Sequence, residues 1–175
     1  MASWPFRPSP LATAYLGLGS NLGDRAALIE AALARLNAGG ARVVSRSPLY
    51  ETDPVTPDPQ PLYLNAAARV ETALEPGALL ALCLSVEHAL GRDRPPGRPL
   101  APRTIDVDIL LYGDQVVDVP GLSIPHPRLL ARQFARVPLA DVAEPGLRHP
   151  VTGDRLDLGA MHPSVRRWRG GSGTL

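Results

Sequence analysis

Two proline-rich segments limit how this chain can fold more than any other feature of its sequence. Four prolines stand among residues 54–61, and four more are interleaved with arginines among residues 92–103. Because proline lacks a backbone N–H and restricts φ, neither segment can form a helix interior or a central strand. Both are therefore predicted to be loops, and the regular elements must lie before, between and after them.

The stretches around these loops alternate between helical and strand patterns. In chain order they predict a strand over 13–19, a helix over 25–37 capped by Asp24, strands over 41–52 and 63–72, a helix from Pro76 to about Leu90, a strand over 104–111, a hairpin turn at 112–115 into 116–118, and a mostly helical segment over 129–141 broken near Pro138. Helices mixed with antiparallel strands in this order predict an α+β fold, a ferredoxin-like sandwich with a mainly antiparallel sheet.

Length and composition predict one domain with a real core. The chain has 175 residues, of which 45% are hydrophobic. We expect a domain over 12–160 between a flexible N-terminal tail, 1–11, and a flexible C-terminal tail, 161–175. The 18 basic and 17 acidic residues nearly cancel, so no overall field favours nucleic acid or membrane, and neither is expected as a partner.

The residue types exclude several kinds of site. Every basic residue is arginine, and the absence of lysine excludes a P-loop and Schiff-base chemistry. Cys83 is the only cysteine, so no intramolecular disulfide can form, which fits a reducing compartment. Its apolar surroundings predict a small buried side chain. The N-terminus shows neither a signal peptide nor a membrane span, so we expect a cytoplasmic protein, and a monomer.

The strand predicted over 104–111 carries the sharpest local feature, a pair of aspartates. Because strand side chains alternate, Asp106 and Asp108 point the same way, about 6–7 Å apart, while Ile105, Val107 and Ile109 point into the core. At an effective dielectric of about 20 the carboxylates repel by about 2–3 kcal/mol. Magnesium, which takes one or two carboxylates, would relieve this repulsion. The alternative is a pair of solvent-facing aspartates on an edge strand.

The loop before this strand contains Arg92, Arg94, Arg98 and Arg103. Arginine binds phosphate through its planar fork, and phosphoryl transfer depends mainly on positioning and charge neutralisation. Arginines beside a carboxylate-bound metal would form a polyphosphate cradle. The alternative is a solvated surface loop.

Three further segments are candidates for ligand contact. The glycine-rich turn over 17–24 can bind phosphate through backbone amides, or its glycines can merely allow a tight turn. Asn65 lies inside a predicted strand, where its amide needs a backbone partner or a flat heterocycle. Lone histidines are more often structural than catalytic, but His126 shares a short segment with Arg128 and Arg132, which is compatible with phosphate contact.

Six short motifs occur in one order over roughly residues 13–150. They are Gly19-Ser20-Asn21-Leu22-Gly23-Asp24, Tyr50-Glu51-Thr52, Tyr63-Leu64-Asn65-Ala66-Ala67, Glu87 with Gly91-Arg92 and Arg94, Pro102-Arg103-Thr104-Ile105-Asp106-Val107-Asp108-Ile109-Leu110, and Pro125-His126 with Arg132 and Phe134. In this order and spacing the chain resembles the hydroxymethyldihydropterin pyrophosphokinase family.

The resemblance implies a three-layer α-β-α sandwich and a reaction of folate biosynthesis. Two magnesium ions held by Asp106 and Asp108 would bridge ATP. The hydroxyl of 6-hydroxymethyl-7,8-dihydropterin would attack the β-phosphorus of ATP, and AMP would leave.

The resemblance also implies roles for individual residues. The catalytic residues would be Arg92, Arg103, Asp106 and Asp108. The ATP-binding residues would be Glu87, Arg94, Arg103, Ile109, His126 and Arg132. The pterin-binding residues would be Thr52, Asp53, Val55, Tyr63, Asn65 and Phe134.

Two positions depart from a common form of the family. Many members place a tryptophan two residues before the Pro-Arg-Thr sequence, where this chain has the stretch 99–101, Pro-Leu-Ala. Asp53 stands where a proline is frequent.

Two other classes of protein share parts of this pattern. A nucleotidyltransferase also combines a Gly-Ser turn with an Asp-x-Asp strand, but there the turn closely precedes the aspartates, and here more than eighty residues separate them. A non-catalytic ferredoxin-like ligand-binding module would not need same-face aspartates beside an arginine loop.

Overall fold

The computed structural model describes residues 10–56, 58–97, 100–159 and 161–170. The elements in chain order are β1 (Ala12–Ser20), α1 (Arg25–Ala38), β2 (Ala41–Arg46), β3 (Tyr50–Thr52), β4 (Tyr63–Thr72), α2 (Pro76–Ala89), β5 (Asp106–Tyr112), β6 (Val117–Val119), β7 (Leu122–Ile124), α3 (Gln133–Val142) and β8 (Val165–Arg167).

One antiparallel sheet forms the middle layer of the molecule. Its strands lie in the order β5-β1-β4-β3-β8, and β2 pairs with the other end of β4. Helices α1 and α2 contribute to the core on one face of the sheet, and α3 contributes to the core on the other face. The predicted ferredoxin-like α+β sandwich with a mainly antiparallel sheet is confirmed.

Alternation along the strands builds both layers of the core. Leu16 and Leu18 of β1 pack on the side of α1 and α2, whereas Tyr15, which precedes Leu16, packs on the side of α3. In β5 the alternation places Val107 and Ile109 with α1 and α2. The same-face arrangement predicted for Asp106 and Asp108 follows from this register.

The predicted ends of α1 are also confirmed. Asp24 caps α1, since its Oδ1 accepts a hydrogen bond from the Ala27 N–H at 3.1 Å. Gly40, which follows the helix, has a φ of +101°, a conformation that favours glycine. Cys83 is fully buried in the core, as predicted, and burial raises its thiol pKa to about 12.

The single strand predicted over 41–52 is wrong, because the chain breaks at Ser47 and Pro48 into β2 and β3. Ser47 donates its backbone N–H to the Ala67 carbonyl at 2.9 Å, and its hydroxyl accepts the Ala67 N–H, also at 2.9 Å. The hydroxyl thus takes the place of a backbone acceptor, and Pro48 has no N–H with which to continue the ladder.

The predicted hairpin between 104–111 and 116–118 is also wrong. Strand β6 pairs with β7 instead, in a separate two-stranded ribbon. Two backbone groups of β5 already have partners away from β1, since the Val107 N–H donates to the Glu87 carboxylate and the Leu110 carbonyl accepts from the His126 N–H. These contacts occupy the edge that a hairpin partner would need.

The predicted break near Pro138 does not occur, and the helical segment begins later than predicted. Helix α3 starts at Gln133 and continues through Pro138 to Val142. Pro138 is buried together with Val137 and Leu139, so apolar packing offsets the hydrogen bond that proline cannot make.

The C-terminal segment predicted as a flexible tail instead contains β8, which pairs with β3. Val165 is buried, and the Trp168 N–H donates to the Leu49 carbonyl at 2.9 Å. The exposed backbone groups of β3 attract this strand, which composition alone does not indicate. Most of the predicted N-terminal tail, 1–9, and the last residues, 171–175, lie outside the described residues.

Within the described part of the chain, no helix is long and apolar enough to cross a membrane. The cytoplasmic location and the monomeric state stay predictions.

Replacing Ser47 by alanine tests the interruption between β2 and β3. The change leaves the buried Ala67 N–H without its acceptor, so we expect the free energy of unfolding to fall by about 1–3 kcal/mol. Ser45→Ala, two residues earlier, is the matched control and should change it much less. Urea denaturation of both variants measures this, and equal losses would contradict the bridging role of Ser47.

Candidate active site

A pocket opens on the face of the sheet that α3 covers. It is lined by Gly17, Leu18, Gly19, Thr52, Asp53, Val55, Tyr63, Asn65, Ala66, Leu100, Arg103, Asp106, Asp108, Leu110, His126, Arg132, Phe134 and Ala135. The fold therefore brings together both aspartates, all six residues predicted to bind the pterin, and three residues predicted to contact ATP.

Two glycines of β1 leave room in this pocket. A Cβ at Gly19 would lie 3.3 Å from Oδ1 of Asn65, and a Cβ at Gly17 would lie 3.4 Å from the side chain of Leu110. The glycine-rich strand thus gives the pocket space beside the Asn65 amide. Phosphate binding by the backbone of the following turn stays a prediction.

Asp106 is compensated by two arginines. Oδ1 lies 3.2 Å from Nη2 of Arg92, and Oδ2 accepts a hydrogen bond from Nη1 of Arg103 at 2.8 Å. Arg92 also donates to the Ile105 carbonyl at 3.2 Å, so its guanidinium fixes both the carboxylate and the start of β5. Such charge-assisted contacts hold Asp106 in one orientation.

Asp108 has weaker compensation. Its Oδ2 lies 3.6 Å from Nη1 of Arg132 and 3.9 Å from Nε2 of His126. Burial, followed by the charge of Asp106, raises the Asp108 pKa to about 6. The pair therefore carries negative charge that the protein only partly offsets.

His126 faces this charge as a neutral hydrogen-bond donor. Its Nδ1 accepts the backbone N–H of Arg128 at 3.1 Å, so the ring proton resides on Nε2, the atom nearest Asp108. Burial, then the charges of Arg132 and Arg128, lower the His126 pKa to about 4. At neutral pH the ring can donate to an oxygen ligand without adding charge.

The other end of the pocket combines an amide with aromatic rings. Nδ2 of the buried Asn65 donates to Oγ1 of Thr52 at 2.9 Å. The guanidinium of Arg103 lies 5.8 Å from the Tyr63 ring centre, and that of Arg132 lies 5.4 Å from the Phe134 ring centre. Polar groups with fixed orientation beside flat apolar rings suit a planar heterocycle.

Asn21 supports the site but was missed as a functional residue. It is buried, its Oδ1 accepts the Arg103 N–H at 2.7 Å, and its Nδ2 donates to Oε1 of Gln60 and to the Pro61 carbonyl. It therefore joins the ends of the two proline-rich loops. The sequence signal for Asn21 was its position, a polar side chain just after the strand predicted over 13–19. Leu100, in the stretch that lacks the tryptophan, also lines the pocket and was missed.

Four predicted site residues do not line the pocket: Glu87, Arg92, Arg94 and Ile109. Glu87 is buried behind β5, where it accepts the Val107 N–H at 2.8 Å and pairs with Arg94. The Ile109 side chain packs in the core with α1 and α2, on the opposite face of the sheet. Arg98 lies outside the described residues.

A model of the family described as 7,8-dihydro-6-hydroxymethylpterin-pyrophosphokinase (HPPK) matches residues 15–144. The chain belongs to this family. The predicted class of enzyme, an ATP-dependent diphosphotransferase, is confirmed by this membership.

Two relatives of HPPK type resemble this chain over most of their length. The 2-amino-4-hydroxy-6-hydroxymethyldihydropteridine pyrophosphokinase of Methylorubrum extorquens is 47% identical over 131 residues, which are 74% of this chain and 82% of the relative. The enzyme of the same name from Bacillus subtilis is 37% identical over 161 residues, which are 91% of this chain and 92% of the relative.

Solved structures support the fold. The HPPK-DHPS protein of Plasmodium falciparum, at 16% identity, superposes with a TM-score of 0.65 over 86% of this chain and 44% of that chain. This chain thus spans less than half the length of that structure, and the likeness concerns the fold alone.

The donor set suits magnesium. Among the described residues, no group of three or more histidine, cysteine or acidic side chains is arranged to hold a metal ion. Asp106 and Asp108 nevertheless offer two carboxylates on one face, and burial followed by the charge of Asp106 raises the pKa of Asp108, so a nearby cation would favour its charged form. Magnesium is usually held by one or two carboxylates, with substrate phosphates completing its shell.

Glu87→Ala tests the position of Glu87 behind β5. The change removes the acceptor of a buried backbone N–H and the partner of Arg94, so we expect the free energy of unfolding to fall by about 1–3 kcal/mol. Glu30→Ala, which removes an exposed pair with Arg46, is the control and should cost less than about 1 kcal/mol. A loss of nucleotide affinity without a loss of stability would show that Glu87 contacts ATP directly.

Proposed function

We propose that the protein transfers pyrophosphate from ATP to the hydroxyl of 6-hydroxymethyl-7,8-dihydropterin and releases AMP, as a magnesium-dependent step of folate biosynthesis. One observation carries the proposal. A single pocket joins two same-face aspartates and the cations around them to a slot of amide and aromatic side chains. The names of the relatives from Methylorubrum extorquens and Bacillus subtilis support the same substrate class.

The phosphate end uses fixed positive groups. Arg103 and Arg132 line the pocket beside the aspartates, where their guanidinium groups bind phosphate oxygens. The Nε2–H of neutral His126 adds a donor directed at the same place. Groups held in this way need little reorganisation as charge develops on the transferred phosphates.

Asp106 and Asp108 would hold two magnesium ions in the proposed arrangement. When bound, these ions would neutralise the negative charge of the carboxylates and of the phosphate oxygens. Arg92 acts from behind the pocket, because its contacts to Asp106 and to the Ile105 carbonyl set the direction of that carboxylate.

The acceptor end orients the pterin. Asn65, held by Thr52, hydrogen-bonds the edge of the ring, while Tyr63 and Phe134 contact its faces. The hydroxyl is thereby placed in line with the β-phosphorus of ATP. The new O–P bond forms as the bond from the β-phosphorus to the α,β-bridging oxygen breaks, AMP leaves with that oxygen, and the hydroxyl proton is released to the medium.

Asp108→Asn tests the reaction and the site together. With ATP, magnesium and the pterin, we expect AMP formation to fall at least about 10³-fold. The fold should persist, because the substitution removes a same-face repulsion. Asp114→Asn, in the exposed turn after β5, is the matched control and should keep full activity. A coupled AMP assay and thermal denaturation give the two measurements.

Three outcomes of this assay separate the classes of protein. AMP formation that requires the pterin supports the pyrophosphokinase. Release of pyrophosphate instead would indicate a nucleotidyltransferase, and neither product from folded native protein would indicate a non-catalytic binding module.

Gly19→Ala tests the acceptor end. Its Cβ would lie 3.3 Å from Oδ1 of Asn65, so the amide must shift, and the KM for the pterin should rise about tenfold, equivalent to ~1.4 kcal/mol of binding. Gly17→Ala is the matched control, because its Cβ would meet only the Leu110 side chain at 3.4 Å. Steady-state kinetics should show a larger rise in the pterin KM for Gly19→Ala than for Gly17→Ala. A larger rise for Gly17→Ala would exclude the proposed role of Asn65.

A further inference from the structure

The C-terminal strand β8 pairs with a strand that lines the pocket, although it lies beyond the residues that match the family model. The family match ends at residue 144, whereas β8 pairs Val165 with Thr52, Arg166 with Glu51 and Arg167 with Tyr50. Strand β3 thus has β4 on one side and β8 on the other. The wall of the pocket that carries Thr52 is therefore supported by the C-terminal segment.

This strand is anchored by contacts that do not involve its arginine side chains. Val165 is buried in a cluster with Tyr50 and Val137, and the backbone of Trp168 donates to the Leu49 carbonyl at 2.9 Å. Replacing a single exposed arginine of β8 should therefore leave the strand paired.

Arg166 extends this support to the residue where the chain leaves β3. Its Nη1 and Nη2 donate to the two carboxylate oxygens of Asp53 at 3.3 and 3.4 Å. Glu51, directly opposite Arg166, is already paired with Arg25 at 3.0 Å. Asp53 lines the pocket and begins the first proline-rich loop.

The contact restrains a residue whose own backbone is free to rotate. Unlike proline, aspartate has no ring that fixes φ, and a two-point contact with a guanidinium on a paired strand restricts Asp53 from outside.

We propose that β8 supports the acceptor end of the pocket through β3, and that Arg166 is a positioning residue that holds Asp53 and the start of the loop for the pterin. The inference rests on the proposed function, because it takes the pterin as the molecule bound beside Thr52 and Asp53. Arg166 acts through Asp53, and three strands separate β8 from β5, which carries the aspartates, so its effect falls on the acceptor substrate.

Arg166→Ala in the full chain tests the proposal, with Arg167→Ala, the neighbouring exposed arginine of the same strand, as the matched control. For Arg166→Ala we expect the KM for the pterin to rise about two- to fivefold, as suits an exposed ion pair, with kcat and the KM for ATP unchanged. Arg167→Ala should leave all three constants unchanged. Raising the salt concentration should reduce the difference in pterin KM between the native chain and Arg166→Ala, because salt screens an exposed ion pair.

A charge exchange adds a readout that a general loss of stability would not reproduce. Asp53→Arg combined with Arg166→Asp should recover a pterin KM nearer the native value than either single substitution gives. The proposal would be overturned by equal effects of Arg166→Ala and Arg167→Ala on the pterin KM. It would also be overturned by a parallel rise in the KM for ATP, or by no recovery of the pterin KM in the charge-exchanged variant.

Hydrogen exchange in the substrate-free protein separates this inference from the proposed function. The backbone amides of Asp53, Val55 and Thr56 should exchange faster in Arg166→Ala and at the native rate in Arg167→Ala. If the native chain makes no AMP, the proposed function fails, and unchanged exchange in Arg166→Ala overturns the positioning role by itself.

Discussion

The site depends on one electrostatic constraint, the projection of two carboxylates from the same face of β5. Asp106 is matched by Arg92 and Arg103, whereas Arg132 and His126 lie at longer distances from Asp108. Burial and this proximity raise the Asp108 pKa to about 6. The fold thus leaves negative charge at the position where the proposed divalent cation and polyphosphate would balance it.

The position of β5 depends in turn on what occupies its outer edge. The Glu87 carboxylate accepts the Val107 N–H, and the backbone of His126 donates to the Leu110 carbonyl. The first contact fixes the strand against α2, and the second brings the histidine to the aspartates. Both contacts satisfy backbone groups of β5 that a hairpin partner would otherwise have paired. The same contacts therefore explain why β6 does not pair with β5 and why the His126 ring lies beside the aspartates.

Local sequence patterns predicted the parts of the fold that depend on neighbouring residues. Strand alternation was enough to place Asp106 and Asp108 on one face, and a short polar side chain before an apolar stripe was enough to identify the Asp24 cap. The pairing of β8 with β3 could not be predicted in this way, because it depends on contacts between Val165 and Tyr50, far apart in the chain. For the same reason the burial of Glu87 behind β5 was not evident from its motif.

The most direct test of this account is a crystal structure with manganese in place of magnesium, a non-hydrolysable ATP analogue and the pterin, using anomalous scattering to locate the ions. The account predicts anomalous peaks within about 2.0–2.3 Å of carboxylate oxygens of both Asp106 and Asp108, with phosphate oxygens completing the coordination. Ions bound elsewhere, with Asp106 and Asp108 contacting only arginine and histidine, would contradict it.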